Sequence, residues 1–307
     1  GTGTGTGIGT EAPATGGAMP VSFAPVDDSS LGVGSGDDNS TETIFCAIGD
    51  TLFTDVEREE LRRQLPSIAE KCDFLIHLGN FKFASDECSL QTYDAAKMTL
   101  MTSPIPTFIV PGENEWNECP GITPDQGLAL FRDRFQMFDQ NWEHNFDVEY
   151  RENHVENYHF VHKRTLFVGL SIVGGKITDQ AKWNNHLIDS LEYTLEAMHR
   201  RVPRKAAGTV LMFHADPLPR DDHKKFFNKF RRYLILNTTS APPLDEYPML
   251  MLHSGGLEWR YNPQYMGLGN ILEMQIMGGT TPPQQIIANP FAEGKNPEDA
   301  FKYETNM

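Results

Sequence analysis

Three short apolar runs in the first half of the chain end in the same way, and this repeated ending constrains the fold most strongly. The segments Ile44–Asp50 and Phe74–Asn80 each consist of an apolar run, a glycine and then a side chain that carries an oxygen. The third segment, Thr107–Glu113, is an apolar run that closes in a Pro-Gly turn before the carboxylate. Short apolar runs bounded by turn residues predict buried strands. In an open α/β sheet, ligands bind at the carboxyl ends of the strands, so the three endings are predicted to converge on one site.

The rest of the chain alternates between helical and extended patterns. Helices are predicted over Asp55–Lys71, Ser89–Thr102, Pro124–Phe138, Asp179–Arg201 and Asp222–Leu236. Further strands are predicted over Asn157–His162, Thr165–Ile172, Thr209–Phe213 and Met249–Leu252, and hairpins over Trp259–Ile287. Alternating strands and helices followed by further strands predict an α/β layered sandwich with the helices outside.

The amino-terminal segment differs in composition from everything that follows it. Residues 1–42 are rich in Gly, Thr, Ser, Pro and Asp and contain no Lys or Arg. Such a segment cannot bury enough apolar surface to offset the entropy that ordering would remove. The sequence therefore predicts a disordered acidic tail or linker over residues 1–42 and one folded domain over residues 43–307.

The net charge limits the kind of partner. The chain has 307 residues and a formal charge of −16. Nucleic acids and anionic membranes select clustered Lys and Arg, so neither is expected as the main partner. No apolar run approaches the length of a membrane-spanning helix, and no transmembrane segment is predicted.

The cysteines and sequons bear on the compartment. Cys88 and Cys119 lie in loops after two strand ends, where a disulfide can form, whereas Cys46 and Cys72 lie in or beside strands. Four reduced thiols are the alternative, and the sequence alone leaves both open. Glycosylation sequons begin at residues 39 and 237 and have meaning only in a secreted chain. There is no initiator Met and no secretory signal, as in a processed product, and the expectation is a soluble protein that is secreted or lies in an endomembrane lumen.

The blocks at the strand ends resemble the calcineurin-like metallophosphoesterases, in that family's order and spacing, from Ile44 to Tyr303. In particular they are similar to a branch with Gly-Asp-Thr-Pro-Tyr, His-x-Gly-Asp-x-Lys, Pro-Gly-Asp-Asn-Glu-Trp-x-Asp-Cys and His-Gly-Asp-Thr-His blocks. The matching blocks here are Gly49–Phe53, His77–Lys82, Pro111–Cys119 and His253–Leu257. The resemblance implies a four-layer α/β/β/α sandwich. It also implies a disulfide between Cys88 and Cys119, because the matching cysteines of that branch pair.

The resemblance assigns metal-ligand positions to Asp50, Asn80, Glu113 and His214. The chemistry of the family uses two metal ions that bind the phosphate and generate a hydroxide nucleophile. Two adjacent dications need hard carboxylate oxygens, including one carboxylate that bridges them. Asn80 stands at the bridging position, where a neutral amide removes the charge that holds the pair together.

Other positions depart from the family in the same direction. Leu52 stands where many relatives place a His, and Asn114 where typical members carry the His that protonates the leaving group. The last pair of ligands aligns with Gly255 and Leu257, neither of which can coordinate a metal. Contacts to phosphate are expected from Asn114, Lys82 and His253.

The remaining ligand set can hold one divalent ion and is insufficient for two, so the cofactor is at most one ion of unknown identity. The first hypothesis is therefore a metallophosphoesterase-like protein with a degraded dinuclear site, weak or no phosphoester hydrolysis, and a binding or scaffold role toward a phosphorylated ligand or a protein partner. The alternative is an active metal-dependent phosphoesterase with a rearranged, mononuclear site. A third hypothesis is an extracellular structural protein whose acidic tail is the functional part.

Three further features have a structural interpretation. His154, His159 and His162 lie on an extended segment where their spacing is poorly suited to chelation, and they are predicted to be surface histidines. The basic and aromatic helix that ends at Leu236 is predicted to pack its Phe side chains inward and expose its cations. Glu115 is predicted to brace the loop that contains it.

Overall fold

A computed structural model of the chain describes residues 40–217, 221–236, 243–256, 258–293 and 296–304. The predicted tail therefore lies outside the described residues up to position 39, as do the asparagines of both sequons and Leu257. Within the described ranges no helix combines the length and apolar character that crossing a bilayer requires.

The described part of the chain alternates strands and helices as its sequence predicts. The strands are β1 (Thr43–Ile48), β2 (Phe74–His77), β3 (Thr107–Ile109), β4 (Glu149–Arg151), β5 (His154–His162), β6 (Thr165–Gly169), β7 (Gly208–Phe213), β8 (Met249–His253), β9 (Arg260–Pro263), β10 (Ile271–Gln275), β11 (Gln284–Ala288) and β12 (Phe301–Glu304). The helices are α1 (Asp55–Gln64), α2 (Leu90–Leu100), α3 (Pro124–Phe135), α4 (Gln180–Arg201), α5 (Lys224–Leu236) and α6 (Pro297–Ala300).

The strands form two sheets. The first has the order β12-β11-β1-β2-β3, in which β1, β2 and β3 run parallel and β11 pairs antiparallel with β1. The second has the order β4-β5-β6-β7-β8-β10-β9, with parallel pairing from β6 through β10. Of the hairpins predicted over Trp259–Ile287, β9–β10 is present, whereas β11 pairs with β1 and with β12, which follows the predicted range.

Alternation along the strands separates the layers. In β1, Phe45 and Ala47 join an apolar core that contains residues of both sheets. Their neighbours Cys46 and Ile48 join a second core with side chains of α1, α2 and α3. A third core lies between the second sheet and the helices α4 and α5. Because side chains alternate between the two faces of a strand, each sheet is covered on both sides. The result is the predicted four-layer α/β/β/α sandwich.

Aromatic side chains fill the space between the sheets. The ring centroid of Phe74 lies 5.1–5.5 Å from those of Phe45, Phe108, Phe160 and Phe167. Such offset and edge-to-face pairs add about 0.5–1.5 kcal/mol each beyond the burial of apolar surface. This packing fixes the first sheet, and with it the strand ends, against the second.

Local signals explain where the helices begin and end. Thr54 caps α1 and Glu57 returns the hydrogen bond to the cap backbone, a capping box. The prediction that this helix runs to Lys71 is wrong, because α1 ends at Gln64 and a 3₁₀ turn over Leu65–Ile68, with Pro66 near its start, follows. In α5, the Phe side chains are buried and Lys225 and its basic neighbours are exposed.

Two disulfides are present, one between two loops and one between β1 and the segment before β2. One joins Cys88 and Cys119, the pair that the resemblance implies. The other joins Cys46 and Cys72, a pairing that the sequence leaves open. No described cysteine is free.

Candidate functional site

Three loops meet where β1, β2 and β3 end, and each supplies one of the predicted site residues. The backbone is left-handed at Asp50 (φ 47°), Leu52 (φ 75°) and Asn80 (φ 57°). Residues other than Gly rarely adopt left-handed backbone angles, and the residues that do so cluster at functional sites. The loops are joined by backbone hydrogen bonds, including one of 3.0 Å from the N–H of Asp50 to the carbonyl of Gly79. Asp50, Asn80 and Glu113 are thereby brought together.

The carboxamide of Asn80 lies between the two carboxylates. Its Nδ2 donates to Oδ1 of Asp50 at 3.1 Å and to Oε1 of Glu113 at 3.2 Å. Its Oδ1 accepts the backbone N–H of Asn114 at 3.1 Å. That backbone group can only donate, so the hydrogen-bond network fixes which end of the amide faces the carboxylates. The amide therefore presents its two N–H bonds, and no lone pair, to the centre of the site.

The remaining carboxylate oxygens also accept hydrogen bonds from the backbone. Oδ2 of Asp50 accepts the N–H of Gly255 at 2.8 Å. Oε2 of Glu113 accepts the N–H of Gly174 at 3.2 Å. Both carboxylates are thus compensated by donors from the protein itself, as buried charges require.

His214 follows β7 and is fully buried beside Glu113. Its Nδ1 lies 2.7 Å from the carbonyl oxygen of Leu78, which can only accept, so Nδ1 carries a proton. Its Nε2 lies 2.8 Å from Oε2 of Glu113, an ion pair in which the N–H is poorly aligned with the oxygen. Burial lowers the pKa of His214, but the carboxylates of Glu113 and Asp50 outweigh it and raise that pKa to about 10. Burial raises the pKa of Glu113, but His214 outweighs it and lowers that pKa to about 2. The geometry and the charges both indicate an imidazolium paired with a carboxylate.

Lys82 and Asn114, two of the predicted phosphate-binding residues, are engaged within the loops. Lys82 is 1 % exposed, and its Nζ donates to the carbonyls of Phe83 at 3.0 Å and Asp86 at 2.9 Å. Nδ2 of Asn114 donates to the carbonyl of Lys82 at 2.8 Å. These side chains hold the loop that follows β2.

His253, the third predicted phosphate-binding residue, belongs to a different cluster. Its Nε2 lies 2.9 Å from Oε1 of Glu273, which Arg260 also contacts at 2.8 Å. The imidazole is fully buried and stacks on Phe213 with the centroids 5.7 Å apart. The structure therefore places His253 in the second sheet, facing Glu273.

Glu115 joins the loops that follow β2 and β3. It is fully buried, and its Oε1 accepts the backbone N–H groups of Asn80 at 2.7 Å and Gly112 at 2.9 Å. Burial raises the pKa of Glu115 to about 7, and the hydrogen bond from Gly112 opposes that rise. In the sequence, Glu115 is recognisable as the second carboxylate of a Gly-Glu-Asn-Glu run.

The strand-end residues do not fit the pair of metal ions that the resemblance implies. A bridging ligand must offer lone pairs to both ions, and Asn80 offers N–H bonds in that direction. A side chain at Gly255 would place its Cβ 2.8 Å from the carbonyl oxygen of His214, in a left-handed backbone, so that position admits no ligand. Among the described residues, two compact groups of three potential metal ligands lie elsewhere. One is His154, Glu156 and His186, and the other is Asp216, His253 and Glu273.

The two stacked sheets flanked by helices define the calcineurin-like metallophosphoesterase fold. The chain is similar to the purple acid phosphatase PPD1 from seeds of yellow lupin (Lupinus luteus), with a TM-score of 0.52 and 11 % identity, over 82 % of this chain and 50 % of that one. The chain thus spans half the length of the lupin phosphatase, and the likeness shows the fold alone.

Two further solved structures show weaker likeness. The protein TT1561 of Thermus thermophilus has a TM-score of 0.45 and 16 % identity, over 86 % of this chain and 98 % of that one. A dimetal phosphatase from Danio rerio has a TM-score of 0.44 and 9 % identity, over 86 % of this chain and 99 % of that one. No protein-family model and no curated protein matches the chain.

Proposed function

We propose that this chain is a degenerate member of the phosphoesterase fold, with weak or no phosphoester hydrolysis, that serves as a binding or scaffold module. The observation that carries the proposal is the carboxamide of Asn80, whose Nδ2 donates to both Asp50 and Glu113. In two-metal hydrolysis, two metal ions a few ångströms apart bind both the attacking and the leaving oxygen. Here amide hydrogens occupy the position from which a shared carboxylate would hold those ions.

The neighbouring residues support the same conclusion. His214 is turned into an ion pair with Glu113, so its Nε2 carries a proton where a ligand needs a lone pair. Lys82 is engaged by loop carbonyls. Asp50, Asn80 and Glu113 are hydrogen-bonded to one another and to the backbone, which joins the three loops without an ion. A site closed in this way suits a protein retained for its surface, with a protein or a phosphorylated molecule as its partner.

The test measures metal content and turnover on the same purified full chain. Mn²⁺, Fe²⁺, Zn²⁺ and Ca²⁺ are offered in turn, followed by nitrophenyl phosphate mono- and diesters, with Asp50→Ala as the matched control. We expect wild type and Asp50→Ala to have equal metal content and equally negligible turnover.

Two other outcomes would contradict the proposal. Two ions bound by the wild type, with turnover lost in Asp50→Ala, would overturn the proposal and mean that other residues complete the site. One ion with clear turnover that depends on Asp50 would favour the alternative, an active phosphoesterase with a mononuclear site.

We also propose that the protein is secreted or resides in an endomembrane lumen. Two disulfides support this location, because such bonds persist mainly in oxidising compartments. Alkylation of the protein in intact cells, before and after reduction, tests it. All four thiols should react only after reduction, and alkylation without reductant would contradict the location.

A further inference from the structure

A second group of potential ligands lies between β5 and α4 and shares no residue with the strand-end site. His154 and Glu156 are two positions apart on β5, and His186 and Asp189 are three apart on α4. One ligand atom from each of His154, Glu156 and His186 lies within 4.8 Å of the others. Nδ1 of His154 and Oε1 of Glu156 are 3.2 Å apart. Two ligands of a tetrahedral ion at about 2.0–2.1 Å are separated by about 3.4 Å, so this pair already has the spacing of two ligands.

The hydrogen bonds of His186 determine which nitrogen is available. Its Nε2 lies 2.9 Å from the carbonyl oxygen of Ser171 and 3.1 Å from Oγ of the same residue. That hydroxyl donates its own proton to Oδ1 of Asn157 at 2.7 Å, so both atoms of Ser171 act as acceptors. Nε2 of His186 must therefore carry a proton, which leaves the lone pair on Nδ1. Metal-binding histidines are commonly oriented by a carbonyl in this manner.

His154 has a corresponding arrangement. While its Nδ1 faces Glu156, its Nε2 lies 4.0 Å from Oδ2 of Asp189. That carboxylate oxygen is buried and has no hydrogen-bond partner among the described residues. The other oxygen of Asp189 accepts from Arg151 at 2.7 Å. An unused acceptor thus faces the ring nitrogen that would have to keep its proton if the other nitrogen bound a metal.

We propose that His154, Glu156 and His186 form a binding site for one transition-metal ion, with Zn²⁺ the ion that the donors suit best. Two imidazoles and one carboxylate are a usual protein ligand set for Zn²⁺, with water in the fourth position. The ligands would be Nδ1 of each histidine and Oε1 of the glutamate. The side chain of His154 is 28 % exposed, which gives the ion a route from solvent.

Arg132 modulates this site. Its Nε donates to Oε2 of Glu156 at 2.8 Å, and one terminal nitrogen donates to Oε1 at 2.9 Å and lies 3.5 Å from Nδ1 of His154. The guanidinium compensates the buried carboxylate without an ion, and it repels an incoming cation. A carboxylate oxygen has two lone pairs, so Oε1 can accept from Arg132 and still bind a metal. The expected site is therefore weaker than one with a free carboxylate.

The experiment uses the full chain after removal of metals with a chelator. Co²⁺ is added and the visible d–d absorption recorded, and Zn²⁺ affinity is measured by competition with a chromophoric chelator. We expect one equivalent of ion in the wild type and at least a tenfold loss of affinity in His154→Gln and in His186→Gln. Asp189→Asn removes the acceptor that orients His154 and should weaken binding about 10- to 100-fold.

The control is His162→Gln, which removes another half-buried histidine of β5 that lies near Asp73 and outside the cluster. It should bind the ion like the wild type. Zn²⁺ should also raise the Tm of the wild type, because an ion that binds only the folded state stabilises it. Far-UV circular dichroism checks that each variant is folded. His154→Gln is the more informative variant, since its side chain is partly exposed.

Absence of binding to the wild type, or unchanged affinity in a folded His154→Gln variant, would overturn the inference. Asp50→Ala separates this result from the proposed function. An ion lost in Asp50→Ala and kept in His154→Gln would contradict both proposals, because it would lie at the strand ends. An ion lost only in His154→Gln supports the second site and leaves the proposed function standing.

Discussion

At the scale of single residues, Asn80 shows how one carboxamide can compensate two neighbouring buried carboxylates without an ion. Two buried carboxylates close together need compensating positive charge or donors. In this chain the donors are the amide of Asn80, the backbone of Gly255 and the imidazolium of His214. Asn and Asp have nearly the same size, so an Asp would fit at position 80 but would bring a third carboxylate in place of these donors.

The two hydrogen bonds of the Asn80 carboxamide predict that Asn80→Asp destabilises the fold. The substitution removes two N–H donors and places a third carboxylate between Asp50 and Glu113, so the free energy of unfolding should fall by about 3–5 kcal/mol without metal. Mn²⁺ should restore part of that loss, because a dication can now bind between the carboxylates. Urea unfolding at neutral pH with and without Mn²⁺ measures both effects. Wild type is the control and should gain less stability from Mn²⁺ than Asn80→Asp does, and a variant that is as stable as the wild type without metal would contradict this interpretation.

Sequence reasoning reaches the convergence of Asp50, Asn80 and Glu113 because neighbouring parallel strands end at the same edge of a sheet. Sequence reasoning does not predict where the Lys82 side chain points, because its Nζ donates to carbonyls of its own loop. The prediction that His159 lies at the surface is wrong. This residue is 2 % exposed and lies under α4, with Nδ1 2.8 Å from the hydroxyl of Tyr193. A strand pattern alone does not reveal which helix covers it.

At the scale of elements, the disulfide between Cys88 and Cys119 ties the loop after β2 to the loop after β3. Both sulfurs also contact the carbonyl of Asn114, at 3.6 Å and 3.8 Å. Closing a loop of 31 residues stabilises the fold by about 3–4 kcal/mol in the chain-entropy estimate. The bond therefore holds the segment that carries Glu113 and Glu115.

The double variant Cys88→Ala/Cys119→Ala should lose about 2–4 kcal/mol of unfolding free energy. Amide hydrogens at Asn114 and Glu115 should exchange faster, because the loop loses its anchor. Hydrogen exchange and urea unfolding measure the two effects. The control is the variant that lacks the other disulfide, Cys46→Ala/Cys72→Ala, which should lose stability without selective exposure of this loop. Equal exchange in both variants would refute the anchoring role.

The sequence predicts helices well where capping residues mark them and less well where a strand pairing is distant. Thr54 and Thr123 cap α1 and α3 at the predicted starts. The sequence leaves the pairing of Cys46 with Cys72 open, because it depends on how the chain before β2 returns to β1. The hairpin pattern of the final strands is local. It does not indicate that β11 lies in the first sheet and pairs with β1.

At the scale of the whole molecule, burial of three neutral histidines links stability to pH. Burial lowers the pKa of His77 to about 3, with a smaller contribution from His214. Burial also lowers the pKa values of His159 and His186 to about 4. In the unfolded chain these groups titrate near 6.5, so between about 4.5 and 6 the unfolded state binds three more protons there. Glu115 opposes this with one proton, because its folded pKa of about 7 lies above the unfolded value.

Among these four groups the net difference is two protons, so they should lower the free energy of unfolding by about 2.7 kcal/mol for each pH unit as the pH decreases from about 6 to about 4.5. The sign follows because a base with a depressed folded pKa is protonated first in the unfolded state. Urea unfolding across that pH range measures the slope. His77→Gln should reduce it by one proton, and Glu115→Gln should steepen it by one. If His77→Gln has the same slope as the wild type, His77 is not a neutral buried base. The acid sensitivity of the fold would then have to come from the carboxylates, which act at lower pH.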